Sequence, residues 1–173
     1  KEMNTQTAEA LSFKTIVDTY YSEVFGTAYR LTGNHADADD LVQETFTNVL
    51  KAVKSGSVIE HPKAYLMTTL KNTFFSSIKG KKREQSAQNI EQYIEEHQLD
   101  EIPASVEVDS DSIQDALSKL EEKYRVPLVL FYFNEFSYRE ICDILDVPIG
   151  TVMSRLSRAK RFVKLYISNT YGK

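Results

Sequence analysis

No apolar run in this 173-residue chain approaches the roughly 20 residues that a helix needs to cross a bilayer. The first ten residues have neither the basic stretch nor the apolar stretch of a secretory leader. The expected location is therefore the cytoplasm, with no direct membrane insertion. One cysteine, Cys142, leaves no partner for an internal disulfide and is expected to be a buried, inert thiol. The three histidines, His35, His61 and His97, are far apart and have no Cys or His neighbour at metal-ligand spacing, so no metal site is expected. Also missing are a Ser-His-Asp set, a Cys-His pair and a glycine-rich phosphate loop, which makes an enzyme the least favoured class and implies no cofactor. No strand pattern stands out, and the expected fold class is all-α.

The formal charge of −4 argues at first against a nucleic-acid partner, because neutralising phosphates takes a basic surface. That average hides a segregation. Positions 84 to 122 hold twelve acidic residues and one basic one, Lys119, whereas positions 147 to 173 hold six basic residues and no acid. Charge divided by segment points to different partners for different parts of the chain.

Apolar residues recur at helical spacing along most of the sequence. Phe13, Ile16, Val17, Tyr20, Val24, Ala28 and Leu31 predict a helix over about 8–31, ended by Thr32, Gly33 and Asn34. Asn34 can cap a second helix, with Asp37, Asp39 and Asp40 near its positive end. That helix should bury Ala38, Leu41, Val42, Thr45, Phe46, Val49 and Val53, and show a polar face. Gly56 and Pro62 mark a loop, and Pro62 suits the first turn of a third helix that repeats Leu66, Leu70, Phe74 and Ile78 before a basic end. Residues 84–109 are polar and acidic, with too few apolar side chains to offset the entropy of ordering them, and read as a flexible linker. Relative motion of the flanking parts is the default for such a linker. Helical spacing then returns in three short segments, followed by a last helix with Val152, Leu156, Ala159, Val163 and Ile167 on its buried face.

Between Ser137 and Arg161 a short helix, a tight turn and a longer helix have the spacing of a helix-turn-helix, with Thr151 a candidate cap. The outward side chains Ser154, Arg155, Ser157 and Arg158 suit a major groove roughly 12 Å wide. A basic last helix can also be no more than a solvated face. Ser137-Tyr-Arg-Glu-Ile141 and Val147-Pro-Ile-Gly-Thr-Val-Met-Ser-Arg-Leu-Ser-Arg-Ala159 resemble the promoter-reading domain of bacterial sigma factors, in particular the extracytoplasmic-function (ECF) group of the sigma-70 family. Ala38-Asp-Asp-Leu-Val-Gln-Glu-Thr-Phe46 resembles that family's helix for core RNA polymerase. Tyr65-Leu-Met-Thr-Thr-Leu-Lys-Asn72, followed by Lys81-Lys-Arg83, resembles its promoter-opening helix.

The resemblance implies a region 2-like domain over 1–83, an acidic linker over 84–109 and a region 4-like helix-turn-helix domain over 110–173. It implies a transcription initiation factor that lends core RNA polymerase its promoter specificity. The polymerase contacts would be the clamp helices of the largest subunit and the flap of the second, with an anti-sigma factor as regulator. Asp40, Gln43, Glu44 and Asn48 would bind core polymerase. Ser57, His61, Tyr65, Asn72, Lys79, Lys81, Lys82 and Arg83 would meet the minus-ten element, with the loop 55–61 receiving a flipped base. Arg139, Thr151, Ser154, Arg155, Ser157, Arg158 and Lys160 would meet the minus-thirty-five element. Tyr65 stands where the family usually has Trp, and Met153 where it commonly has Lys or Arg. A sigma-like decoy for an anti-sigma regulator and a stand-alone helix-turn-helix repressor remain competing readings; the second leaves the polymerase-like helix without a role.

Overall fold

The computed structural model describes residues 13–80, 90–96 and 109–172, and every regular element among them is a helix. The N-terminal unit is built from α1 (Phe13–Thr32), α2 (His35–Lys54) and α3 (Pro62–Gly80). Helix α1 ends where Gly33 takes φ +86°, a conformation that costs a residue without a side chain little. Asn34 then caps α2: its side-chain oxygen accepts the Asp37 N–H at 2.8 Å, and its amide donates to the Asp37 carboxylate at 2.8 Å. The expected face of α2 is buried from Ala38 to Val49, with Val53 half-buried. Leu66, Met67, Leu70 and Phe74 of α3 close the core against Ile16, Val24 and Leu31 of α1.

The C-terminal unit holds α5 (Ser110–Lys119), α6 (Glu122–Tyr132), α7 (Tyr138–Leu145) and α8 (Ile149–Tyr171). A reciprocal capping box starts α7, in which the Ser137 N–H and hydroxyl both donate to the Glu140 carboxylate, at 2.8 and 2.7 Å. The Ser137 hydroxyl, and after it the Ser137 N–H, hold the Glu140 carboxyl below its usual range. Asp146 at φ +54° ends α7 and turns the chain into Val147 and Pro148. Here the sequence expectation is corrected. Helix α8 starts from Pro148 without a side-chain cap, so Thr151 lies inside the first turn rather than at the cap, and its N–H donates to the Pro148 carbonyl at 3.0 Å. Cys142 is half-buried against the core, less enclosed than expected. The far end of α8 is tied to α5, because the Tyr166 and Tyr171 hydroxyls both donate to Asp115, at 3.0 and 2.8 Å. Burial, and then the Asp115 carboxylate, push the Tyr166 phenol up to about 12.

Most of the segment read as a linker lies outside the described residues, as do Lys81, Lys82 and Arg83. Its described part is a seven-residue helix, α4 (Ile90–Glu96), packed along α8. Tyr93 sits with its ring 4.9 Å from that of Phe162, and the Tyr124 hydroxyl donates to Glu91 at 2.6 Å. This neighbour explains why α8 buries Phe162 in addition to the expected stripe; Leu165 is buried as well. Full burial of a side chain the size of Phe162 is worth about 1.5–3 kcal/mol.

The two units are docked. Helix α1 packs on α5 and α6, and α3 packs on α7.

Candidate nucleic-acid and polymerase interfaces

The outer face of α2 carries the proposed polymerase contacts. Asp40, Gln43 and Glu44 are exposed on consecutive turns, held outward because Ala38, Leu41, Val42 and Thr45 point into the core. Asn48 differs: it is half-buried, and its amide reaches the Thr73 hydroxyl of α3 at 3.4 Å. Its described contact is to α3 rather than outward. Asp40 and Glu44 also border a groove of about 350 Å³ that Arg125 of α6 lines from the other side.

On α3 three of the candidate residues fall seven apart. Tyr65, Asn72 and Lys79 are all exposed, and a seven-residue step returns to nearly the same helix face, so they form one stripe about 21 Å long. Thr69 and Ser76 lie between them on the same side. Aromatic, amide and ammonium groups in line offer a stacking plane, a base-edge partner and a phosphate partner to a separated strand. Tyr65 is 37% exposed, and its N–H donates to the His61 carbonyl at 3.0 Å, which joins the loop to the stripe. In that loop Gly56 takes φ +87°, Ser57 and His61 are exposed, and Val58 is 78% exposed. Sequence reasoning passed over Val58; an apolar residue between Gly56 and Pro62, outside any helical stripe, was the available signal.

Helix α8 presents Ser154, Ser157, Arg158 and Lys160 to solvent, whereas Thr151 and Arg155 are half-buried. Arg139 is exposed at the start of α7. The first turn of α8 has no acidic residue, and a side chain at Gly150 would meet nothing within 4 Å, so a phosphate can approach the positive end of the helix. Met153 is 51% exposed and leaves an apolar spot in this polar surface. Two of the candidates have other neighbours. The Arg158 guanidinium lies 3.5 Å from Glu91 of α4, an exposed pair of small energetic weight. Lys160, with Lys164, edges an apolar groove of about 450 Å³ lined by Ile113, Leu117, Leu128 and Ile167. The structure therefore groups Ser154, Ser157 and Arg158 on one flank, with Arg161 beside them, and sets Lys160 toward another.

Among the described residues, no group of three or more His, Cys, Asp or Glu side chains is placed to hold a metal ion. Among the same described residues, no helix is long and apolar enough to cross a membrane.

A helix-turn-helix unit with a basic second helix, joined to another helical unit, defines a DNA-binding protein of two parts. Residues 16–84 match Sigma-70 region 2, and residues 110–163 match Sigma-70, region 4. The chain is 29% identical over 164 residues to the ECF RNA polymerase sigma factor SigW of Bacillus subtilis (strain 168), covering 88% of this chain and 87% of that protein. It is 30% identical over 133 residues to the ECF RNA polymerase sigma factor EcfG of Rhodopseudomonas palustris (strain TIE-1), covering 77% and 72%. Among solved structures, the sigma factor RpoE of Bartonella quintana, crystallised in complex with the anti-sigma factor NepR, shares the fold. Its TM-score is 0.70 at 24% identity, over 92% of this chain and 99% of that one. The chain belongs to the ECF group of the sigma-70 family. It is a transcription initiation factor that gives core RNA polymerase its promoter specificity.

Proposed function

We propose a division of labour in which residues 1–83 bind core polymerase and open the minus-ten element, while residues 110–173 read the minus-thirty-five element. Residues 84–109 join them. The observation that carries this reading is the exposed Tyr65, Asn72 and Lys79 stripe on α3, set apart from the basic flank of α8. Asp40, Gln43 and Glu44 supply acidic and amide groups to the polymerase clamp helices, with Asn48 contributing through the position of α3. The apolar groove edged by Lys160 and Lys164 suits the polymerase flap. Ser57, His61, Tyr65, Asn72 and Lys79 meet the opened strand, and Lys81, Lys82 and Arg83 extend the basic end. Arg139, Thr151, Ser154, Arg155, Ser157 and Arg158 face the duplex, and Lys160 stands between that flank and the apolar groove.

The factor works in the cytoplasm, without catalysis of its own. The acidic joining segment lowers nonspecific DNA affinity, a role supported by Glu91 beside Arg158. Control by an anti-sigma factor is supported by the likeness to a factor crystallised with one.

The test is Tyr65→Ala. Base-aromatic stacking is worth about 1–3 kcal/mol per base, so open complexes should fall roughly 5- to 150-fold. Permanganate reactivity of the minus-ten thymines reads the loss directly, and Tyr65→Trp should keep or raise it. Undiminished reactivity in Tyr65→Ala would remove α3 from the melting role.

A further inference from the structure

We propose that Met153 is a specificity-determining residue that reads the 5-methyl group of a thymine in the minus-thirty-five element. Helix α8 leaves two large apolar side chains in solvent within its first two turns, Ile149 at 47% exposure and Met153 at 51%. They stand four residues apart and so share one side of the helix. The packing of α8 does not use them: Val152, Leu156 and Ala159 hold it on the core from another side. The other outward neighbours of Met153 are small. Gly150 lies three residues before it, Ser154 next to it and Ser157 four residues after it, and all three are exposed. A side chain at Gly150 would meet nothing within 4 Å, so the space on that side is open. Met153 therefore projects beyond the residues around it, a flexible and polarizable thioether above a small, polar floor.

This inference rests on the reading of α8 as the helix that enters the major groove of the minus-thirty-five element. In a helix-turn-helix the N-terminal residues of the second helix meet the base edges, and helical side chains tilt toward that same end. Met153 is the fifth residue of α8, which carries it to the floor of the groove. Base edges there offer hydrogen-bond donors and acceptors, and the thymine methyl is the one apolar group among them. A thioether has no strong donor, only a weak acceptor, and no charge. Against guanine, adenine or cytosine it displaces water without replacing the lost hydrogen bonds. Against a thymine methyl it buries apolar surface on both sides. Where a lysine or arginine at this position would favour guanine, Met153 favours thymine, and the Ser154 and Ser157 hydroxyls beside it serve polar edges of neighbouring pairs. An exposed apolar spot can also meet a protein, but its surroundings favour nucleic acid. The first turn of α8 has no acidic residue, and Arg155, Arg158, Lys160 and Arg161 follow Met153 on the same helix. The concave apolar surface of α8 lies elsewhere, in the groove edged by Lys160 and Lys164.

The experiment uses the full chain bound to core RNA polymerase, on a promoter identified by transcript mapping. Each thymine of the minus-thirty-five element is replaced in turn by deoxyuridine, which removes the methyl and keeps every hydrogen-bonding atom. At one thymine, or at two adjacent ones, the affinity of the holoenzyme for the duplex should fall about fourfold, the worth of one buried methyl-sized group. Met153→Ala should bind the thymine and deoxyuridine promoters equally. Met153→Lys should also lose the methyl dependence, and should steepen the dependence of affinity on salt by about one counterion. Both substitutions fall on an exposed helical position, and binding to core polymerase without DNA checks that each holoenzyme forms. A fourfold loss on deoxyuridine that persists in Met153→Ala overturns the assignment, as does a parent indifferent to every methyl. Weaker binding of Met153→Ala to core polymerase without DNA, with the methyl dependence unchanged, overturns it in favour of a protein contact. A parent holoenzyme indifferent to scrambling of the whole element overturns the reading of α8 itself, a result distinct from loss of the methyl effect alone.

Discussion

Reversing Asp40 and Glu44 to lysine, together with Gln43→Ala, should weaken binding to core polymerase by between about 30-fold and several thousand-fold. Truncating a charged or hydrogen-bonded partner in a protein interface costs about 2–5 kcal/mol, and reversal adds repulsion. The fold should be indifferent to these changes. All three side chains are exposed, and α2 is held by Ala38, Leu41, Val42, Thr45 and Val49 on its opposite face. Thermal unfolding should shift by no more than about 0.5 kcal/mol, as for substitutions outside the core. Fluorescence anisotropy of the labelled factor titrated with core polymerase measures the affinity. A loss under threefold would move the polymerase contact off this helix. Asn48→Ala is expected to act differently, by loosening the α2 and α3 pairing through Thr73, so its effect should appear in stability as well as in affinity.

The second large effect is expected on the other unit. Arg158→Ala with Arg155→Ala should reduce transcription that depends on the minus-thirty-five element by roughly 10- to 100-fold while leaving polymerase binding intact. One well-placed arginine contact to a base pair is worth about 1–3 kcal/mol of discrimination. Arg158 should account for the larger share, because it is exposed on the flank with Ser154 and Ser157, whereas Arg155 is half-buried. Comparing promoters with intact and scrambled minus-thirty-five elements separates this loss from a general one. A matched loss of polymerase binding would contradict the division of labour between the units.

Much of this could be read from residue spacing. The stripe of α3, the Asn34 cap and the turn before α8 are local signals, set by side-chain period, a short polar side chain before a helix, and Pro148 after Asp146. What stayed hidden was tertiary. Phe162 falls outside the apolar stripe that one neighbour would require, and it is buried because α4 supplies a second one through Tyr93. Helix α4 itself is only seven residues long, inside an acidic segment whose average composition argues against order. The docked state is harder still to foresee. Glu23, Lys63 and Asn134 each look like ordinary surface residues, and only the meeting of α1, α3 and the connection before α7 makes them a cluster. The start of α8 was displaced for a related reason: Pro148 can begin a helix with no side-chain hydrogen bond, so Thr151 looked like the better cap.

These observations also change how the reading helix is understood. Its basic flank is partly occupied by Glu91, and Met153 removes one cationic position, so α8 alone should be a weak reader. Effective binding should come from holding both promoter elements through polymerase, where the second contact is made at high effective concentration.

Adding the purified chain to core RNA polymerase and mapping transcript starts on a library of genomic fragments should give a small set of discrete starts preceded by shared minus-ten and minus-thirty-five sequences, absent with core polymerase alone. Binding to duplex DNA without any promoter-specific start would contradict the assignment of promoter specificity.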